Sequence, residues 1–463
     1  MDKLLSIKYW YLIPLTYIGI FWNQYFGSEI VVYGIFLFGL ILSVKSLSEG
    51  TLYFIIVLLL FDDFPFQAKE NQIFNSIYTA TIFGQTISKL LSLWLFGLIV
   101  LKSFQIKKII IGNLFSKIFL SLMIISLIVG ISSLNYKYAG SFINDFRFFF
   151  NYIVGFGIVV YLLAEKDYFK AIFPLMTLIF LSKIIVLTGT TIILSNFGSI
   201  LTIKAGTGSY LIIFVVCYLL YLLTERRYIL YTSIGLFLTL GFLVLSASRG
   251  RIVITGLVIV LYILTIRKTK YIPIIIAFTG IAIVGIFFIN PSLIDYLMWK
   301  ITSFTPQKGS GQSSYVRFVE ISNILHQNFT SVKSFFFGNG LGGFWDSKYL
   351  EYPFDLKNTS SYPEEWILRD RYFKPHGIVQ FLLLKIGFIG TLSFYGSILY
   401  LYIKNFTKYK TNNLINKESA AYVTIILVGL LPFYLIAFSA KLQLLGGVMV
   451  GICYCYTKAL KIE

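Results

Sequence analysis

The chain is short of charge, and shortest of acid. Asp, Glu, Lys and Arg make up 13% of its 463 residues, and only 20 of them are acidic against 39 basic. Soluble domains carry about a quarter charged residues, so a soluble globular protein is excluded. Cysteine occurs three times, as Cys217, Cys453 and Cys455, each inside an apolar run. That excludes a disulfide framework and a cysteine metal site. Histidine occurs twice, as His326 and His376, which excludes a histidine cluster. Short segments of alternating polarity are also missing, and with them the signature of a transmembrane β-barrel.

What fills the chain instead is apolar sequence: 57% of residues are hydrophobic. Runs of about 18 or more apolar residues recur from end to end, each long enough to cross a bilayer as a helix. The fold class expected is an all-α polytopic integral membrane protein with about fourteen transmembrane helices. The spans fall near 9–26, 29–45, 51–64, 82–101, 111–133, 143–164, 171–189, 208–224, 228–247, 252–267, 271–289, 376–402, 419–438 and 442–458. The first of these follows "MDKLLSIK" with no small-residue cleavage site behind it and reads as a retained span. The stretch after the short third span, "FDDFPFQAKENQIFNSIYTAT", is a candidate for dipping back into the membrane.

The net charge of +19 does not point to nucleic acid, because the cations sit in short connections between spans. "LKSFQIKK", "AEKDYFK", "TERRY", "IRKTK" and "YIKNFTKYKTNNLINK" all fall on one side if the N-terminus is cytoplasmic. Both termini are then inside. Residues 1–289 form membrane helices 1–11, 290–375 one large external loop, and 376–463 membrane helices 12–14. From Asp295 to Lys374 the loop holds eight acidic and nine basic residues, with helical periodicity around "YVRFVEISNILHQNF". It is the only long hydrophilic stretch, and such a connection is ordinarily functional or disordered. No internal repeat and no inverted pair of broken helices is visible, which weighs against a secondary transporter.

Against that topology the external arginines stand out. "GFLVLSASRGRIVITG" places Arg249 and Arg251 outside, where positive charge is disfavoured, with Gly250 between them. Snorkelling to headgroups is one reading. An anion site is the other, since guanidinium binds phosphate through two parallel bonds. Arg147 in "NDFRFFFNYIVGFG" opens a span from the same side, although Asp145 offers it a partner. Arg317 in "SSYVRFVEIS" is a fourth, with Glu320 one turn on as a possible intrahelical partner. Arginines from three regions at one membrane face suggest a pocket for a lipid-linked phosphate. His376 lies in "RDRYFKPHGIVQFLLLKIGFIGT", where Pro375 marks the start of a span. It is either an interfacial residue or a general base at the mouth of a cavity. His326 reads as structural.

"FFFGNGLGGFW" matches G-x-G-x-x-G through Gly338, Gly340 and Gly343. No βαβ unit surrounds it, so a dinucleotide site is rejected in favour of a tight loop packed on the membrane domain. Asp62 and Asp63 in "FDDF" hint at a metal-dependent enzyme, but no third acid lies near them in sequence. Among the cations within spans, only Lys89, Lys183 and Lys385 read as buried, fewer than a flippase would be expected to carry.

The order of these motifs resembles the O-antigen polymerase and O-antigen ligase superfamily. A span ends in "SASRGR", two more follow, then comes a large loop with "YVRFVEI" and "FFFGNGLGG", then "PHGIVQFLLLKIGFIGT". The resemblance covers roughly Phe142 to Tyr402. The ligase pattern is His, a small polar residue, nine residues, then Gly-x-x-Gly and Thr or Tyr. His376, Gly387, Gly390 and Thr391 match it, and Gly377 departs from it.

The resemblance implies a GT-C-like, lipid-dependent glycosyltransferase in the bacterial inner membrane, multi-pass, with its active site facing the periplasm. Its donor is an undecaprenyl-pyrophosphate-linked oligosaccharide. No metal or other cofactor is implied, because the leaving group is already activated. His376 and Arg249 would be catalytic. Arg147, Arg249, Arg251 and Arg317 would hold the pyrophosphate, and Gly338, Gly340, Gly343 and Glu320 would support the loop. A chain-length regulator protein and a flippase are the implied partners, beside the lipid bilayer. The span number and Gly377 favour a polymerase, whose acceptor is a second lipid-linked repeat unit, over a ligase, whose acceptor is lipid A-core. A lipid-linked oligosaccharide flippase is the rival from another class.

The charge alternation predicts residues 290–375 outside and "TERRY" and "IRKTK" inside. A cysteine at Ser310 should react with an impermeant reagent in intact spheroplasts, and one at Thr411 should not. The reverse pattern overturns the topology.

Overall fold

A computed structural model describes residues 13–14, 17, 30–61, 81–107, 109–132, 139–163, 166–195, 210–245, 249–266, 280, 313–351, 362–411, 417–436 and 440–462. These are mostly helical: α1 Ile30–Lys45, α2 Leu47–Phe61, α3 Ile87–Ile106, α4 Leu114–Ser132, α5 Ala139–Gly157, α6 Lys166–Ser195, α7 Leu211–Thr224, α8 Ile229–Leu245, α9 Arg249–Ile266, α10 Ser313–Thr330, α11 Val332–Phe337, α12 Glu364–Leu368, α13 Ile378–Thr411, α14 Lys417–Ile436 and α15 Ala440–Ile462. Four stretches, Ile87–Ile106, Leu114–Ser132, Ala139–Leu162 and Ile378–Phe406, are long and apolar enough to cross a membrane, and eight shorter apolar helices accompany them. A two-residue hairpin, β1 Thr81–Ile82 paired with β2 Gln85–Thr86, precedes α3, so that helix starts at Ile87 and not at the expected 82. The expected spans at 9–26 and 271–289, and the "FDDF" stretch, lie outside or almost wholly outside the described residues.

Small residues let the central helices approach closely. A Cβ on Gly155 of α5 would meet the Leu444 carbonyl at 2.1 Å, and one on Gly447 of α15 would meet the Tyr152 carbonyl at 2.2 Å. Gly447 and Gly451 stand four apart on one face of α15, the spacing by which apolar helices associate when burial from water supplies no drive. Beside this pair, rings of α4, α5, α13 and α14 interlock: Phe119 lies 3.9 Å from Tyr152, and Phe115 lies 5.3 Å from Phe394 and 5.5 Å from Tyr434. The opposite faces carry exposed aliphatics at helical spacing, such as Ile124, Ile128 and Ile131 on α4. That distribution belongs to a helix with one side on protein and the other on lipid.

The longest helix is broken. Gly387 of α13 has φ 74° and ψ 179°, a conformation open to glycine and closed to L side chains. Contact explains it: a Cβ there would lie 2.6 Å from the Gly338 amide nitrogen and 2.7 Å from the Ser334 carbonyl. The carbonyls one turn before the break turn outward and are all taken. Leu383 accepts from Asn328 Nδ2 at 3.0 Å, Leu384 from the Asn339 amide at 2.7 Å, and Lys385 from the Gly340 amide at 3.2 Å and Ser126 Oγ at 3.0 Å. Each donor on α10 or the glycine loop therefore replaces an intrahelical bond.

Gly387→Ala should lower the apparent melting temperature in detergent by several degrees, through positive φ and backbone overlap together. Gly396→Ala, where a Cβ meets nothing within 4 Å, should leave it unchanged or raise it slightly. Equal melting of Gly387→Ala and the parent protein would show that the break is not required.

Candidate active site

The site starts from the buried stripe of α10. Val316, Val319, Glu320, Asn323, Ile324 and Asn328 follow one another at helical spacing and are all buried. Three of these six are polar, and each has a specific partner. Asn323 donates to the Leu350 carbonyl at 2.8 Å and accepts from the amides of Tyr349 and Leu350 at 3.1 and 2.9 Å. Asn328 reaches α13 as described above. Glu320, fully buried, accepts from the His376 amide at 3.0 Å, from the Tyr362 hydroxyl and from His376 Nδ1. A carboxylate only accepts, so this contact is a hydrogen bond in the tautomer that carries the ring proton on Nδ1 and leaves Nε2 open. The His376 side chain is 31% exposed, in contrast to its partner.

The ring is held by packing as well. Tyr362 meets it edge-on with centroids 5.0 Å apart. Behind Tyr362, Trp345 and Tyr372 stack at 4.4 Å and join their backbones in a two-bond antiparallel bridge. Burial pushes the Tyr372 phenol up to about 12, and the Asp370 carboxylate adds to the rise. Ile324, Leu383 and Leu384 complete this small core, which fixes α10 against the head of α13.

Below it lies a buried ion pair. Lys385 of α13 is fully buried and meets Asp145 of α5 at 2.6 Å. Its ammonium also donates to the carbonyls of Gly343 and Phe373, and Asp145 accepts from the Gly342 amide at 2.8 Å. Two helices and the glycine loop thus converge on one charge pair. Gly338, Gly340 and Gly342 all have positive φ, and a Cβ on Gly340 would lie 2.4 Å from the Gly130 nitrogen of α4. The Leu341 amide bonds the Ser126 carbonyl at 3.0 Å.

The structure decides several alternatives that the sequence left open. Asp145 pairs with Lys385, not with Arg147: residues two apart on a helix do not face each other, and the ammonium and the Gly342 amide both reach the carboxylate. Glu320 faces inward to His376, while Arg317, three residues before it, is exposed; the intrahelical pair does not form. Lys183 is buried and bonds the Leu59 carbonyl, but Lys89 is only partly buried, in the first turn of α3, and contacts Gln85. Arg147 and Arg251 are partly buried on α5 and α9; Arg249 opens α9, and its side chain lies outside the described residues, as do Asp62 and Asp63. A cleft of about 570 Å³ opens beside the glycine loop, and among the described residues Arg147, Arg251, Arg317 and both histidines are absent from its lining. Its cations are Lys333 and Arg371, the latter 4.9 Å above the Phe344 ring. His326 packs edge-on against Tyr349 at 4.4 Å. Among the described residues no three His, Cys, Asp or Glu side chains gather as a metal site would require.

Removing one member of a buried pair leaves an uncompensated charge and costs about 3–5 kcal/mol. Lys385→Met should therefore sharply reduce the monodisperse fraction on size-exclusion chromatography. Adding Asp145→Asn should recover part of it. No recovery in the double variant would mean that the lysine's bonds to carbonyls, not its charge pairing, hold the loop.

No family model, no curated protein and no solved structure matches this chain.

Proposed function

We propose that the chain is a lipid-dependent glycosyltransferase, a surface-polysaccharide polymerase of the bacterial inner membrane with about fourteen spans and a site facing the periplasm. The observation that carries this reading is the pairing of Glu320 with His376 at the head of α13, under the one long hydrophilic segment. An oriented, partly exposed imidazole is what proton removal from a sugar hydroxyl needs.

In the proposed step an acceptor hydroxyl oxygen attacks the anomeric carbon of an undecaprenyl-pyrophosphate-linked glycan. His376 Nε2 takes the hydroxyl proton as the new C–O bond forms. The bond from the anomeric carbon to the pyrophosphate breaks, and undecaprenyl pyrophosphate leaves with the electron pair. Arg249, with Arg251, Arg147 and Arg317, is proposed to hold that leaving group, as the motif order of the resemblance implies. Glu320 is a positioning residue: it fixes the tautomer that leaves Nε2 basic.

Purified protein incubated with defined lipid-linked repeat units, with and without lipid A-core, tests the reading. Longer lipid-linked glycans are expected, also in EDTA. Transfer only to lipid A-core would make it a ligase, and movement across the bilayer without elongation a flippase. His376→Ala should slow elongation about 10²- to 10⁴-fold, the range of general base catalysis, with donor binding retained. Glu320→Gln should lower the turnover number while leaving KM near that of the parent. Arg249→Lys should lose most activity, because the planar fork is lost. Normal polymer from His376→Ala at matched expression would overturn the role of the imidazole.

A further inference from the structure

The hydrophilic segment does not stay level with the head of α13. Glu320 of α10 meets His376 just before α13 begins, Asn328 meets Leu383, and Phe329 meets Phe388 at 5.4 Å. The segment therefore descends alongside the membrane helix. α11 stays at that level: the carbonyls of Ser334 and Phe335 face Gly387, nine residues into α13 from Ile378. At about 1.5 Å per residue, that is roughly 13 Å below the start of the helix.

α4 gives an independent ruler. Its nineteen residues reach about 28 Å, close to the hydrocarbon thickness of a bilayer. The loop that follows α11 bonds Ser126, six residues and roughly 9 Å before the end of α4. The first ruler sets the corner between α10 and α11 below the start of α13, and the second sets the loop that follows α11 below the end of α4.

The exposed side chains there are of the matching kind. Val332 is 79% exposed, Phe329 61%, Phe336 46% and Phe337 43%, with Lys333 exposed among them. In water this would be a costly aromatic patch. It is continuous with the lipid-facing side of α13, because Phe329 and Phe335 both pack on Phe388. An apolar edge carrying one lysine, at that height, fits the boundary between acyl chains and phosphates.

We propose that the α10–α11 corner is an interfacial anchor: Phe329, Val332, Phe336 and Phe337 enter the acyl-chain boundary of the leaflet on that side, with Lys333 among its phosphates. The proposal does not rest on the catalytic reading, and its test involves no turnover. Cys217, Cys453 and Cys455 are replaced by serine or alanine in the full chain, and single cysteines are placed at Val332, Phe336 and Tyr349 for spin labelling. The labelled proteins are reconstituted in phosphatidylglycerol–phosphatidylcholine vesicles, and collision rates with oxygen and with a water-soluble nickel chelate are compared. Oxygen should exceed nickel severalfold at Val332 and Phe336, with the order reversed at Tyr349. Nickel exceeding oxygen at Val332 and Phe336 would overturn the proposal. So would low accessibility to both, which would mean that protein, not lipid, covers the patch. Val332 points outward, so a label there leaves the fold undisturbed even if one at Phe336 does not.

Discussion

Backbone hydrogen bonds cannot be left open at membrane depth, and α13 opens its own. The break at Gly387 turns three consecutive carbonyls away from the helix, and Asn328, Asn339, Gly340 and Ser126 take them. An unmet polar group in an apolar medium costs several kcal/mol, so break and loop stabilise each other and neither is tolerable alone. The head of α13 is consequently fixed in height and rotation, and with it the ring of His376.

The Asp145–Lys385 pair adds a different kind of constraint. Desolvating two charges offsets much of their attraction, so such a pair is a weak source of net stability. Its value here is one of register. Lys385 makes a bond to α5, one to the glycine loop and one to the strand-like stretch before His376. A shift of one residue in any of these would strand a charge in the core. The geometry around His376 is therefore set by elements far apart in the chain.

That distance explains what sequence could and could not reveal. Helix positions were legible because apolar runs of span length need no tertiary information. The glycine loop and His376 were legible because glycine spacing and the entry of a span are local features. The break at Gly387 was not, since the Gly-x-x-Gly pattern does not say which glycine leaves the helix. For Asp145 and Glu320 the sequence offered only the nearest arginines, three or fewer residues away, as alternative partners, whereas the real partners come from other elements. One signal was present: Glu320 sits in the apolar stripe of α10 with Val316, Val319 and Ile324, and an acid in such a stripe must meet a buried partner. The arginines were grouped by topology, which fixes a side of the membrane but no position on it.

The buried pair also has a history within each molecule's own synthesis. Asp145 enters α5 early, while Gly342 and Lys385 are still untranslated. Roughly 240 residues separate the two charges, about 12 to 48 s of elongation at about 5–20 residues per second. For that interval α5 carries an acid without either of its native partners, next to lipid or to the insertion machinery. The final placement of α5 thus waits for a helix made near the end of translation, and the bundle closes from its last third backward.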